Sequence, residues 1–163
     1  MIQRPNSMLV CTAPLQRLNP KLKSGVFTPG FKKPNAMIKT TKKRFDIRIT
    51  QANATVSETF ELDKNIVRIQ GLLLSSDKDD LLYYRGAQKI EINKEEYFPD
   101  NYESKLLMTG LNVSPKQRYY DLGGASAGNG RVQLTYKDTD DGRTVFAPYR
   151  VSLYLDCELE DLK

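Results

Sequence analysis

Asp138, Asp140 and Asp141, just ahead of Gly142, are three carboxylates within four residues, as are Asp77, Asp79 and Asp80, which read as a turn. The group before Gly142 is half the pattern of a calcium loop. The spacing is not that of an EF-hand, and no Glu stands at the closing position. The group reads as an acidic hairpin tip, with a weak cation site between subunits as its alternative. Residues 123–130, GGASAGNG, are rich enough in glycine to suggest a phosphate cradle. They lack the Lys-Ser/Thr of a P-loop and do not open a helical pattern, so they read as a surface loop. Glu95 and Glu96 have no partner carboxylate placed opposite them, so no acid/base pair is built on them. The chain contains no histidine. That removes the Ser-His-Asp and Cys-His arrangements, the usual imidazole base and most zinc sites. These observations point away from an enzyme and name no cofactor.

Tyrosine is the remaining reactive-looking type. It occurs as the neighbours Tyr83-Tyr84 and Tyr119-Tyr120. In a strand, neighbours face opposite sides, which would bury one ring of each pair and expose the other. An exposed Tyr anchors interfaces, and it also stacks on a sugar or a base. The two cysteines, Cys11 and Cys157, lie at opposite ends of the chain and read as free thiols, with Cys157 as a small core residue.

The elements that would position these residues divide by charge. Residues 1–44 hold ten Lys or Arg and no Asp or Glu, with five of the eight prolines; residues 45–163 hold fifteen basic and twenty acidic residues. A basic arm of +10 therefore precedes a body of −5. The prolines deny the arm a long helix. Apolar groups recur between them, and Leu9, Val10, Phe27 and Phe31 read as pegs for pockets on another body. Lys32-Lys33 and Lys42-Lys43-Arg44 are the candidate phosphate contacts, and an acidic neighbouring subunit is the other surface they would suit. No apolar run reaches the length of a membrane span, and the start of the chain lacks the pattern of a signal peptide. Synthesis in a cytoplasm is the expectation.

From Phe45 onward the pattern has period two. Strands are expected at 45–49, 54–62, 66–74, 81–85, 89–93, 117–122, 132–136, 144–146 and 149–159. The run 66–74 reads as a strand buried on both faces, with Gly71 marking a bulge or close packing. Pro99-Asp100-Asn101 reads as a turn, and 102–109 as two helical turns with Leu106 and Leu107 inward. Asp141-Gly142 signals a hairpin. Val151, Leu153, Leu155 and Cys157 share one face of the last strand. Some eight short strands at this spacing predict an all-β body, an antiparallel sandwich, jelly roll or small barrel over 45–163.

A basic, proline-punctuated arm joined to such a body resembles viral coat proteins. The stretch FELDKNIVRIQGLLLSSDKDDLLYYRGAQKIEINKEEYFPDNYESKLLMTG is similar to small virion structural proteins of bacterial viruses. The resemblance implies a capsid, vertex or cement component, residing in the virion. Its partners would be other capsid subunits, copies of itself and packaged nucleic acid. It transfers no site residues. The alternatives are a non-specific nucleic-acid-binding protein that grips phosphate with the arm, and a carbohydrate-binding module that uses exposed tyrosines.

Overall fold

A computed structural model describes residues 39–160. Eight strands occur among them: β1 (Lys39–Ile49), β2 (Thr55–Glu61), β3 (Ile66–Ser76), β4 (Gly86–Ile92), β5 (Glu95–Glu103), β6 (Tyr120–Ser126), β7 (Arg131–Asp138) and β8 (Tyr149–Leu159). A short helix, α1 (Asp79–Arg85), links β3 to β4. The strands form two antiparallel four-stranded sheets in the orders β1-β8-β3-β6 and β2-β7-β4-β5. The first strand pairs with the last, the second with the seventh, the third with the sixth, and the fourth with the fifth. Such nested pairing is a long hairpin rolled up on itself. The roll is closed by β8 against β3 and β7 against β4. This is the topology of a jelly-roll sandwich.

Alternation places the core. Ile47 and Ile49 of β1 pair with Val151 and Tyr149 of β8, and all four are buried. Ile90 and Ile92 of β4 meet Leu134 and Val132 of β7 in the facing sheet. Val151, Leu153, Leu155 and Cys157 are fully buried on the predicted face. Burial pushes the Cys157 thiol up to about 11, leaving it a poor nucleophile at neutral pH. At Gly71 the register of β3 against both neighbours shifts, as a bulge requires. A Cβ there would lie 2.8 Å from Cβ of Tyr119, so close packing also holds.

Several expectations are corrected. β1 runs through the predicted arm boundary, because β8 is long enough to pair residues 39–44 as far as Leu159. Residues 81–85 are helix, not strand. Leu81, Leu82 and Arg85 face inward at helical spacing, and Asp79 and Asp80 occupy the first turn, where carboxylates suit the helix dipole. β3 is not buried on both faces: Val67 and Arg68 are exposed. The expected turn at 99–101 lies inside β5, an edge strand where Pro99 costs no ladder bond. Asn101 takes a positive φ there. Within 102–109 the two expected helical turns reduce to one 3₁₀ turn, Ser104–Leu106; Leu107 after it is buried and Leu106 is exposed. Part of the glycine-rich stretch belongs to β6, which begins at Tyr120 rather than at 117. Residues 144–146 form no strand. β7 and β8 lie in different sheets, so Asp141-Gly142 sits in a crossing between sheets and not in a hairpin.

Candidate interaction surface

The acidic group at 138–141 has an internal cation. Asp138 is buried at the end of β7, and Arg85 is buried at the end of α1. The guanidinium donates two parallel bonds to that carboxylate, Nε to Oδ1 at 3.0 Å and Nη2 to Oδ2 at 2.7 Å. Its Nη1 donates to Asp140 at 2.9 Å and to the carbonyl of Thr144 at 3.1 Å. Asp138 also accepts from the backbone N–H of Asn53 and from the Tyr149 hydroxyl, both at 2.9 Å. Tyr136 shares a 3.0 Å bond with that hydroxyl. Burial alone would push the Asp138 carboxyl up; the Arg85 guanidinium, the Asn53 N–H and the Tyr149 hydroxyl outweigh it and hold the carboxyl below its usual range. Burial drives the Tyr136 phenol up to about 12 and raises that of Tyr149 as well. Asp141 turns inward on its own loop, accepting from the N–H groups of Arg143 and Thr144. The cluster is thus a lock that ties α1, β7 and the 139–148 crossing together. Among the described residues no group of three or more metal-ligating side chains is poised to hold an ion.

The basic cluster lies on β1. Lys42 pairs with Asp156 and sits 4.3 Å from the ring centre of Tyr119. Lys43 bridges to Asp63, and Arg44 grips Asp46 in two bonds of 2.8 and 2.9 Å. The Asp46 bond raises the Arg44 guanidinium, and the same bond lowers the Asp46 carboxyl. Each of the three cations therefore already holds a carboxylate of the body. The remaining arm residues named above, Leu9, Val10, Phe27, Phe31, Lys32 and Lys33, lie outside the described residues.

The tyrosine pairs do not divide as strand neighbours would. Tyr83 and Tyr84 are both exposed, at 48% and 55%, because they occupy the outer side of a helix. Their rings meet edge to face. Tyr119 precedes β6 and is half-buried, while Tyr120 is exposed yet packs edge-on against Phe98. Tyr83 and Tyr119 face a common groove of about 780 Å³ beside the first sheet. Leu73, Met108, Leu111 and Tyr154 give it an apolar lining, and Lys105 and Arg118 add charge. Leu111 is 86% exposed at its rim. Sequence reasoning missed this groove because its walls come from five separated segments, β1, β3, α1, residues 105–119 and β8. It also missed Arg85, whose partner lies 53 positions away.

The chain matches no family model, no curated protein and no solved structure.

Proposed function

We propose that the chain is a structural subunit of a virus particle, a minor capsid, vertex or cement component of a bacterial virus. One observation carries this reading: nested jelly-roll pairing joined to an N-terminal segment, residues 1–38, with six Lys or Arg and no carboxylate, the basic run continuing into β1. Jelly rolls recur in viral capsids, lectins and cupins, so the fold alone does not choose. The charge division favours a shell role, in which a basic segment reaches acidic neighbours or packaged nucleic acid. Function would be carried by surface docking, with the body as the rigid block.

The test is incorporation into purified particles. The intact chain is expected at a fixed ratio to the major shell protein, and a chain lacking residues 2–38 is expected to be lost or under-represented. The cut stops at 38 because β1 begins at Lys39. Full incorporation of the truncated chain removes the role given to the basic segment, and absence of the intact chain from particles removes the reading.

The same run of cations supports a second reading, non-specific nucleic-acid binding. Lys42, Lys43 and Arg44 are held by carboxylates, so phosphate contacts would fall to the basic residues before them. Affinity should then fall log-linearly with salt, by roughly 0.7 to 0.9 in slope per phosphate contacted. No binding at low salt eliminates it.

A further inference from the structure

The two flanks of the sandwich are built differently. One carries the edges of β5 and β6. Both are blunted: β5 contains Pro99 and the positive-φ Asn101, and its pairing with β4 shifts register twice. β6 is interrupted by a register shift and by Gly123 and Gly124 at positive φ. Such irregularities are how edges avoid pairing with another chain. The opposite flank carries β1 and β2. β1 keeps continuous register with β8 over eleven residues, and β2 keeps it with β7 over seven. Neither strand contains proline. Among the described residues no further backbone hydrogen bond reaches the outer edge of either.

Lysine and arginine can also guard an edge. Here Lys42, Lys43 and Arg44 are drawn into ion pairs with Asp156, Asp63 and Asp46, and do not stand guard over the ladder. What remains on the flank is complementary. β1 has five basic residues against one Asp, and β2 has Glu58 and Glu61 with no basic residue. Lys39 and Arg48 on one strand, and both glutamates on the other, have no ion-pair partner among the described residues. Between the strands the rings of Phe45 and Phe60 stack with centres 4.6 Å apart, and both are only half-buried. An apolar seam is thus bordered by a positive and a negative edge.

We propose that this flank docks a second copy of the chain, β1 of each copy adding to β2 of the other about a two-fold axis along the strands. β1 and β2 run antiparallel across the flank, since Lys43 meets Asp63 while Phe45 meets Phe60. A rotation about an axis parallel to the strands preserves their direction and exchanges the two sheets. β1 then meets the partner's β2 in antiparallel sense, and the contact is made twice by the same patch, as a closed dimer requires. Pairing β1 with its own copy would set cations against cations. The inference deepens the assembly reading above by naming a partner, and it is tested in solution, apart from any particle.

The full chain is examined by sedimentation across concentration and salt. A dimer that weakens as salt rises is expected. Two variants are compared, R48E on β1 and E58K on β2, both sites being exposed and brought to about the same height by the two-fold, since Phe45 lies level with Phe60. Each alone should dimerise at least about tenfold more weakly, because like charges then face each other. An equimolar mixture should restore the dimer, since both edges regain opposite charge. Hydrogen exchange should show concentration-dependent protection of 39–49 and 55–61. A chain that stays monomeric, or a dimer unaffected by both variants, overturns the proposal. So does concentration-independent protection of β1, which would assign that edge to another segment of the same chain. Restored dimers that fail to enter particles would remove the virion reading alone.

Discussion

Arg85 and Asp138 show how a charged pair can be structural. Both are buried, and their two parallel bonds are supplemented by Asn53, Asp140, Thr144 and Tyr149. Replacing one partner leaves the other charge buried without compensation, which costs about 3 to 5 kcal/mol. Asp138→Asn is therefore expected to lower the unfolding free energy by that amount in urea titration, whereas Asp140→Asn, at an exposed carboxylate, should cost far less. Equal effects would show that the buried bidentate contact carries no special weight. The pH dependence follows from the same geometry. The folded carboxyl of Asp138 lies below its ordinary value of 3.8, so its contribution is full above that value and is lost as pH falls through the folded one. Wild-type stability should decline below about pH 4, and D138N should flatten that decline. The three aspartates were visible in the sequence. Their cation was not, because a residue 53 positions away becomes a neighbour only through the fold. Gly86 belongs to the same lock: a Cβ there would strike the Tyr136 hydroxyl and come within 2.6 Å of Leu82 O and Ser104 Oγ. Gly86→Ala should cost about 1 to 3 kcal/mol by overpacking, read as a lower urea midpoint at unchanged slope.

At the scale of elements, β1 marks the limit of charge as a guide to boundaries. The basic run through Arg44 suggested an arm, yet residues 39–44 add a full half of a strand against Leu155, Cys157 and their neighbours. Two truncations separate the effects. One removes residues 1–38 and the other residues 1–44, so they differ only in the part paired with 154–159. Both lack Cys11, which makes Cys157 the sole thiol. Thr41 is the residue paired with Cys157. The longer truncation should melt at lower temperature and react faster with a thiol reagent; matching melting points and rates would show that 39–44 add no support. Strands with clean alternation, such as 149–159, were legible because one face is core and the other is not. Residues 81–85 were not, since five residues with two apolar neighbours fit a strand and a helix turn equally well. The groove beside Tyr83 and Tyr119 was illegible for a different reason. Its lining is assembled from β1, β3, α1, the 105–119 segment and β8, and no local period connects them.

For the whole molecule, period two told which side chains point inward but carried no information on which strand lies beside which. The nested pairing supplies that missing order and has a kinetic consequence. β4 and β5 are joined by two residues, Asn93 and Lys94, both at positive φ as a tight hairpin turn requires. β1 and β8 instead bring residue 39 to residue 159. Closing that span costs chain entropy before any contact repays it. A topology dominated by such distant pairs should fold in milliseconds to seconds rather than microseconds. The roll should also form from its inside outward, with β4–β5 and the strand β7 beside it organised in the transition state, and β1 added late. Ile90→Val on β4 and Ile47→Val on β1 remove the same methyl group from buried sites, each costing about 0.5 to 1.5 kcal/mol. Stopped-flow measurement should find that the first chiefly slows folding, whereas the second chiefly speeds unfolding. The reverse pattern would mean that the long-range pair nucleates the fold. The sandwich would then have to gather its two ends before its central hairpin, against the entropic order that the pairing scheme implies.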